Sequence, residues 1–339
     1  MILIDMLNNF ISVIIPAYNA EKTIKETIES VLNQTFNNFE LIIINSDSTD
    51  ATLSIVNQIK DERIKVFSYP KANVAVNRNR GFKHATGDYI TFLDADDLWT
   101  ADKLTAQYTA LQSNPQAGVA YSWTNCIDKN SKFLRKTSHV DWNGDVYSKF
   151  LLDDFIGNGS NVMIRRDVLS EIGGFDETLT NAQDTDMWLK LSAITDFVCV
   201  PKAQVLYRIL PNSMSSNVLG LEKSNLEVIQ RAFAREKAKT LQHLKPIAIA
   251  NLYKYLCHKV LTAPPGKQQS RVAVRFLFTA IKTDISLLFK PVIFKATLKL
   301  IAMVVLPPNL ATKVLQKLPR LSNTSTFLGY EKTAQCYFS

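Results

Sequence analysis

Along the first hundred residues, continuous apolar runs alternate with stretches of helical periodicity. The run from Phe10 to Ile15, stopped by Pro16, predicts a short buried strand, and Phe39 to Ile44 and Ile64 to Ser68 predict a second and a third. Between them, Ile24, Ile28, Val31 and Leu32 fall at helical spacing within Glu21 to Gln34, and Leu53, Val56 and Ile59 do so within Asp50 to Lys60. A third helix is expected from Val74 to Ala85, and Tyr89 to Leu93 reads as the fourth strand. Strands alternating with helices of this length imply right-handed crossovers and a mainly parallel sheet. In such sheets ligands bind beyond the carboxyl ends of the strands. Asn45-Ser46-Asp47 and Asp94-Ala95-Asp96 lie at two such ends, so they are expected to face one crevice.

Beyond Gly118 the pattern is less regular. VAYSW and MIRR read as strands, a helix starts near Asp184, and FVCVP and VLYRI read as two further segments of the same domain. From Leu221 the chain looks helical, with breaks at Pro264-Pro265-Gly266 and Pro307-Pro308. The expected division is residues 1–220, an α/β catalytic domain, and residues 221–339, a helical basic appendage. With 339 residues, 46% of them hydrophobic and 21% charged, the chain can bury a proper core. No repeat points to a solenoid. Cys126, Cys199, Cys257 and Cys336 are scattered without a CxxC pair, which suggests reduced thiols and a cytoplasmic setting. MILIDMLNNF lacks a basic stretch and a small-residue cleavage site, so no signal peptide is expected there.

Candidate chemistry concentrates where the fourth strand delivers Asp94, Asp96 and Asp97 into one small volume. Like charges this close raise one another's pKa unless something neutralises them. A lone Asp-x-Asp is a weak signal, and Asp97 could simply cap a following helix. At a strand end, however, a hard divalent cation would take such carboxylates and bridge them to substrate phosphates.

Three stretches in order, SVIIPAYNAEKTIKETIESVLNQTF, NRNRGFKHATGDYITFLDADDLW and GGFDETLTNAQDTDMWLKL, resemble the family 2 glycosyltransferases of the GT-A fold across about residues 10 to 217. The resemblance implies a GT-A-type twisted sheet flanked by helices, a nucleoside-diphospho-sugar donor, a divalent cation (Mn²⁺ or Mg²⁺) and inversion at the anomeric carbon. It implies that Pro16, Ala17 and Tyr18 lie along the base and ribose, that Arg78 sits near the nucleotide, and that Asp94 and Asp96, with Ala95 between them, form the metal and ribose-diphosphate motif. Asp184 matches the catalytic base, and Gly159 and Asn161 fall in the region lining the acceptor side. Read without the family, Arg78 is equally a helix-surface arginine and the glycines an ordinary turn. Asp186, Trp188 and Leu191 read as structural, and His84 and His139 as ordinary.

Two departures stand out. Asn45-Ser46-Asp47-Ser48 replaces the usual Asp-Asp-Gly-Ser or Asn-Asp-Gly-Ser, so the base would be received through the Asn45 amide or a displaced Asp47. In YRILPNSMS, Leu210 occupies the position where the family often has a histidine.

Charge changes the picture at the other end. From Leu241 to Arg320, thirteen Lys and Arg face the single acid Asp284, a local balance of +12 in a chain whose total is +8. Arg271, Arg275, Lys282, Ser286 and Lys290 would share one helical face, with Phe276, Leu277, Ile281 and Leu288 among the apolar remainder. Two readings follow: a helix lying on an anionic membrane, or a helical bundle with a solvated basic face. No nucleic-acid motif accompanies the charge, and PAYNAEKT after the first strand is no dinucleotide fingerprint. The sequence therefore points to a hexosyltransferase-like enzyme acting on a glycan or lipid-linked acceptor in cell-surface glycan synthesis. Its expected place is the cytoplasm, in peripheral contact with the inner face of the plasma membrane. The alternative is a catalytically silent sugar-nucleotide or glycan-binding protein on the same fold.

Overall fold

The computed structural model of the chain describes residues 9–210, 217–262 and 267–318. The first residues, where no signal peptide is expected, the Pro264-Pro265-Gly266 break, the Pro211 to Ser215 part of YRILPNSMS, and Cys336 lie outside them. Contacts divide the chain into two units. One holds the chain up to Tyr147 together with the stretch from Asp154; the other holds Ser148–Asp153 and the helices that follow residue 217.

The first unit is built on β1 (Ile11–Ala17), β2 (Phe39–Asn45), β3 (Ile64–Ser68) and β4 (Tyr89–Phe92), all mutually parallel in the order β3-β2-β1-β4. Their sequences are almost unbroken apolar runs because both faces are covered, and every residue of β1, β2 and β4 is buried. The crossovers are α1 (Ile24–Leu32), α2 (Thr52–Gln58) and α3 (Val74–His84); further along the chain come α4 (Lys103–Ser113), β7 (Phe133–Lys136), α5 (Tyr147–Leu152) and α6 (Arg166–Glu171). Pro16 does not stop the first strand. By Pro16, β4 has already left the ladder, which ends at Ile14, and only β2 still pairs there, so the absent N–H has no strand to miss.

Beyond β4 the sheet becomes mixed and curls. β8 (Met163–Arg165) runs antiparallel between β4 and β6 (Ala117–Ile127). FVCVP and VLYRI are not two segments but one thirteen-residue strand, β9 (Asp196–Arg208), parallel to β6. The register shifts near Trp123, where Pro201 and Lys202 have no ladder partner, and this bulge lets so long a strand carrying a proline stay in the sheet. β5 (Leu98–Trp99) pairs antiparallel to β9 near its carboxyl end. Asp97 therefore leads into a strand, and the helix cap expected of it does not exist.

The second unit is a helical bundle with its own apolar core. Its described helices are α8 (Val218–Phe233), α9 (Lys245–Thr262), α10 (Lys267–Thr283), α11 (Pro291–Val305) and α12 (Pro308–Lys317), with 3-10 turns at Glu236–Leu244 and Ile285–Phe289. Leu256, Cys257, Phe276, Leu277, Leu287 and Val292 meet in that core. The single basic stripe expected from Arg271 to Lys290 is broken here. α10 ends at Thr283, Asp284 caps the following 3-10 turn through Ser286, and Arg275 is tied to Glu222 by two bonds of 2.9 and 2.6 Å. Phe276 and Leu277, expected to enter a bilayer, are spent inside the bundle instead.

One glycine sets the depth of the helix that carries Arg78. A Cβ on Gly81 of α3 would lie 3.3 Å from Ile14 Cβ and closer still to its Cγ2, and Ile14 is fully buried in β1. Gly81→Ala should therefore cost about 1–3 kcal/mol in chemical denaturation. That cost should shrink in an Ile14→Ala background, where the obstructing methyl is gone. Equal costs in both backgrounds would show that the close helix–strand approach is not the cause.

Candidate active site

The centre of the site is a buried arginine with two carboxylates. Arg78, 2% exposed, projects from α3, one Nη donating to Asp184 Oδ1 and the other to Asp94 Oδ1 at 2.7 Å. The helix is started by Asn73, whose side chain accepts from Val76 N at 2.9 Å. NRNRG then spends each residue on tertiary structure: Asn79 bonds Phe175 N and O, Arg80 reaches Pro70 O, and the Arg78 guanidinium lies 5.0 Å from the Phe175 ring centre. Phe175 belongs to the Gly-Gly-Phe turn, where Gly174 has φ 83° and a Cβ would strike Asn79.

Asp184 comes from the first turn of α7 (Gln183–Ile194), which follows Ala182 at φ 57°. That left-handed start is a costly conformation for a residue with a Cβ. Burial pushes Asp184 up to about 6, Asp94 and Asp154 add to the rise, and Arg78 opposes it. Asp154 is itself held by Gly157 N at 2.9 Å and by the Thr185 hydroxyl at 2.7 Å. For Arg78, burial works against the charge, and Asp184 and Asp94 outweigh it, so its pKa lies above the ordinary value. Its Nε is buried and bonded to nothing among the described residues.

The Asp94-Ala95-Asp96-Asp97 turn is pinned from several sides. Ala95 O accepts from the hydroxyls of Thr23 and Thr27 at 2.8 and 3.1 Å, and Asp96 O accepts from Arg208 Nε at 2.7 Å. Asp97 is fully buried, accepting from Ser160 Oγ at 2.6 Å and Arg208 N at 2.8 Å. Burial raises its pKa well above the usual carboxylate range, with Asp96 and Asp94 adding to it. Asp96 is pushed up to about 6, chiefly by burial and then by the charge of Asp94. Arg208, buried, also bonds Ser131 Oγ at 3.0 Å and Glu26 at 2.8 Å, locking β9 to the turn.

Of the flagged residues, Arg78, Asp94, Asp184 and Gly159 are brought into contact, and others lie at the ends of β1 and β2. Pro16 and Ala17 are buried at the end of β1, and Tyr18 follows, partly exposed, its hydroxyl accepting from Lys71 Nζ at 2.7 Å. Asn45 is buried and both of its polar atoms are engaged, with Ser68 Oγ at 3.2 Å and Ser48 N at 3.2 Å. Of the strand-end triplet only Asp47 is left exposed, at φ 59°. Ser46 is buried against Ala72. Gly159 does not meet open space: a Cβ there would lie 2.6 Å from Arg78 Cζ and 2.9 Å from Asp184 Oδ1. Asn161, expected on the acceptor side, is fully buried and bonds Ser122 N and O, because it replaces ladder bonds between β6 and β8. Leu210 lies just past β9. Trp188 and Leu191 are fully buried core, Asp186 pairs with Lys190 at 2.6 Å, and His84 and His139 stack on Phe67 and Trp123.

Sequence reasoning missed Arg208, Ser160, Asp154 and Lys71. Each acts through residues more than fifteen positions away, or through a loop with no periodicity, so no local pattern marks it. For Arg208 the one available signal was an arginine in an apolar strand, which must find partners if buried.

Among the described residues no group of three or more His, Cys, Asp or Glu is arranged to hold a metal ion. A cation at this turn would have at most Asp94 and Asp96 from the protein. The pair fits a hard cation: two oxygen donors of which one is raised by the other's charge, with substrate phosphates and water completing the shell.

Residues 12–260 match the family described as glycosyltransferase like family 2. The chain is 34% identical over 218 residues to the UDP-Glc:alpha-D-GlcNAc-diphosphoundecaprenol beta-1,3-glucosyltransferase WfgD of Escherichia coli, covering 61% of this chain and 80% of that protein. It is 35% identical over 214 residues to the putative teichuronic acid biosynthesis glycosyltransferase TuaG of Bacillus subtilis (strain 168), covering 61% and 82%. In fold it is similar to the mannosyltransferase PcManGT from Pyrobaculum calidifontis, solved with GDP-Man and Mn2+. The TM-score is 0.56 at 19% identity, over 95% of this chain and 87% of that one. S. aureus TarS in complex with UDP gives a TM-score of 0.52 at 20% identity, over 80% and 88%.

The close approach of Gly159 to Arg78 and Asp184 has a measurable consequence. Gly159→Ala should displace the guanidinium and remove the charge that opposes protonation of Asp184. A carboxyl-carbon NMR titration should then move Asp184 from about 6 to a higher value. An unchanged titration would mean that the bridge survives the added methyl.

Proposed function

The chain belongs to the family 2-like glycosyltransferases, and from that premise we propose that it moves a sugar, with inversion, from a nucleoside-diphosphate donor to a hydroxyl of a lipid-linked glycan acceptor. The lipid-linked acceptor is in keeping with the diphosphoundecaprenol acceptor of WfgD and the cell-surface polysaccharide role with TuaG; we place the reaction at the cytoplasmic face of the membrane. One observation carries the reading. A single buried guanidinium joins Asp94, at the strand end where a diphosphate would sit, to Asp184, the one carboxylate of the motif helix in that group. A leaving-group site and a base must lie within one sugar's breadth, and a guanidinium shared by the two carboxylates supports that reading.

The roles follow from the chemistry. Asp184 takes the proton of the acceptor hydroxyl as its oxygen bonds to the anomeric carbon. The bond from that carbon to the diphosphate breaks, and the electron pair leaves with the nucleotide. A pKa of about 6 suits a base that must be charged near neutrality yet still accept a proton. Arg78, with its Nε unspent, supplies positive charge to the diphosphate and keeps Asp184 ionised beforehand. Asp94 and Asp96 would hold a divalent cation, Mn²⁺ or Mg²⁺, whose charge stabilises the diphosphate leaving group. Tyr18, with Lys71 Nζ 4.2 Å from its ring centre, is the side chain offered to the base and ribose, and Pro16 and Ala17, buried just before it, set its position. Because Asn45 is engaged internally, the exposed Asp47 is the side chain of the triplet left to read the base. Gly159 belongs to the base's surroundings rather than to an acceptor wall. Nothing in the site favours a catalytically silent binding protein, since the base and the strand-end pair are both retained.

Four outcomes test the assignment. Asp184→Asn should bind the donor as the parent does but lose about 10²–10⁴-fold in turnover, and near-normal turnover would remove Asp184 from the role. In the parent, kcat/KM should climb with pH through about 6 and level off above it, because below that value the base is protonated. Arg78→Gln removes the charge that lowers Asp184, so its acid limb should lie about one unit higher; a limb left in place would separate Arg78 from the base. Finally, Asp47→Ala should flatten the preference among uridine, guanosine and thymidine diphosphates in calorimetric titration, and an unaltered preference would exclude Asp47 as the reader.

A further inference from the structure

The helical unit presents an apolar surface that its own core does not use. On α11, Val292, Ile293, Ala296, Leu300 and Met303 face the bundle core. The opposite stripe, Phe294, Ile301, Val304 and Val305, is exposed, Phe294 by 68% and Val305 by 71%. The 3-10 turn just before it exposes Ile285, Leu288 and Phe289, the last by 86%, and α10 adds Phe278. So many large apolar side chains exposed on consecutive elements mark an interaction surface rather than ordinary surface composition.

The surrounding charge identifies the partner. Arg271, Lys282 and Lys290 are exposed on these elements or at their junctions, and Lys313 and Lys317 on the α12 helix that follows. From residue 267 to 318 the single acid is Asp284, which is buried and paired with Lys254 at 2.8 Å. A second copy of the chain would set this basic rim against itself, whereas an anionic bilayer complements both the charge and the apolar stripe. No described helix is long and apolar enough to cross a membrane. α11, with 15 residues, is about 22 Å long, which suits a helix lying in the interface.

We propose that α10, α11 and the 3-10 turn between them form a monotopic docking surface for anionic lipid, entered by Phe289 and Phe294 and not by the Phe276 and Leu277 that the sequence favours. The surface gives a purpose to the lipid-linked acceptor of the reading above, but it does not depend on transfer being observed.

The test is flotation of the full chain with vesicles of phosphatidylcholine alone or mixed with phosphatidylglycerol, which reads binding without any donor or acceptor. Binding should require phosphatidylglycerol and weaken as salt shortens the range of the charges. Phe289→Ser with Phe294→Ser should reduce vesicle affinity by at least about tenfold, while the thermal unfolding midpoint holds because both side chains are exposed. Phe276→Leu, a conservative change in the core, should leave binding intact. Three results would overturn the proposal: no flotation at low salt, equal flotation of the double serine variant, or a lipid-free dimer abolished by that same variant. The last would assign the surface to a second copy.

Discussion

A guanidinium taken out of water must be paired, and the catalytic unit is arranged around meeting that requirement for Arg78. Removing one partner of a buried ion pair costs about 3–5 kcal/mol, so Asp94 and Asp184 are held as firmly by Arg78 as Arg78 is by them. The pairing draws together three elements distant in sequence: α3, the turn after β4, and the first turn of α7. It also explains the small residues nearby. Gly81 lets α3 sit deep against β1, and Gly159 leaves room for the guanidinium. The same contact acts on Asp184, because burial raises its pKa and Arg78 offsets part of that rise.

A second buried arginine does for the backbone what Arg78 does for the side chains. Arg208 holds Asp96 O, Asp97 and Glu26, so the last residue of β9 fixes the strand-end turn after β4. Asp97, fully buried, contributes to this lock, which separates the three aspartates of the turn by their partners. Asp94 faces Arg78, Asp96 is raised by its neighbour, and Asp97 is structural. Chemically identical groups diverge here because their burial and partners differ.

The two readings of the basic tail are not exclusive. The bundle is present, with a core of its own, and it still leaves an apolar stripe on its outside. Which apolar residues lie inside depends on where α10 ends, and Asp284 decides that by capping the next turn and pairing with Lys254.

Much of the α/β half was legible because a buried parallel strand must be apolar throughout and its crossover helix must be periodic. β3 falls where its apolar run lies, and α1, α2 and α3 differ from the pattern only at their ends. The order of three motifs sufficed for the family, and the types Asp, Asp and Asp carried the candidate chemistry. What the chain could not reveal locally was whatever depends on a partner far away. Pro16 continues a strand because β4 has ended beside it. Asn45 and Asn161 look like ligands for a substrate, yet each satisfies backbone or hydroxyl groups brought up by folding. The tail's basic residues and its apolar residues could both be counted in advance, but not which face each would occupy. Sequence by itself determined the alternation of elements and the chemical groups available, since those follow from short-range periodicity and residue type. Only the tertiary structure decided which charges are paired and which apolar side chains face outward, because burial and electrostatics depend on neighbours that are close in space but remote along the chain.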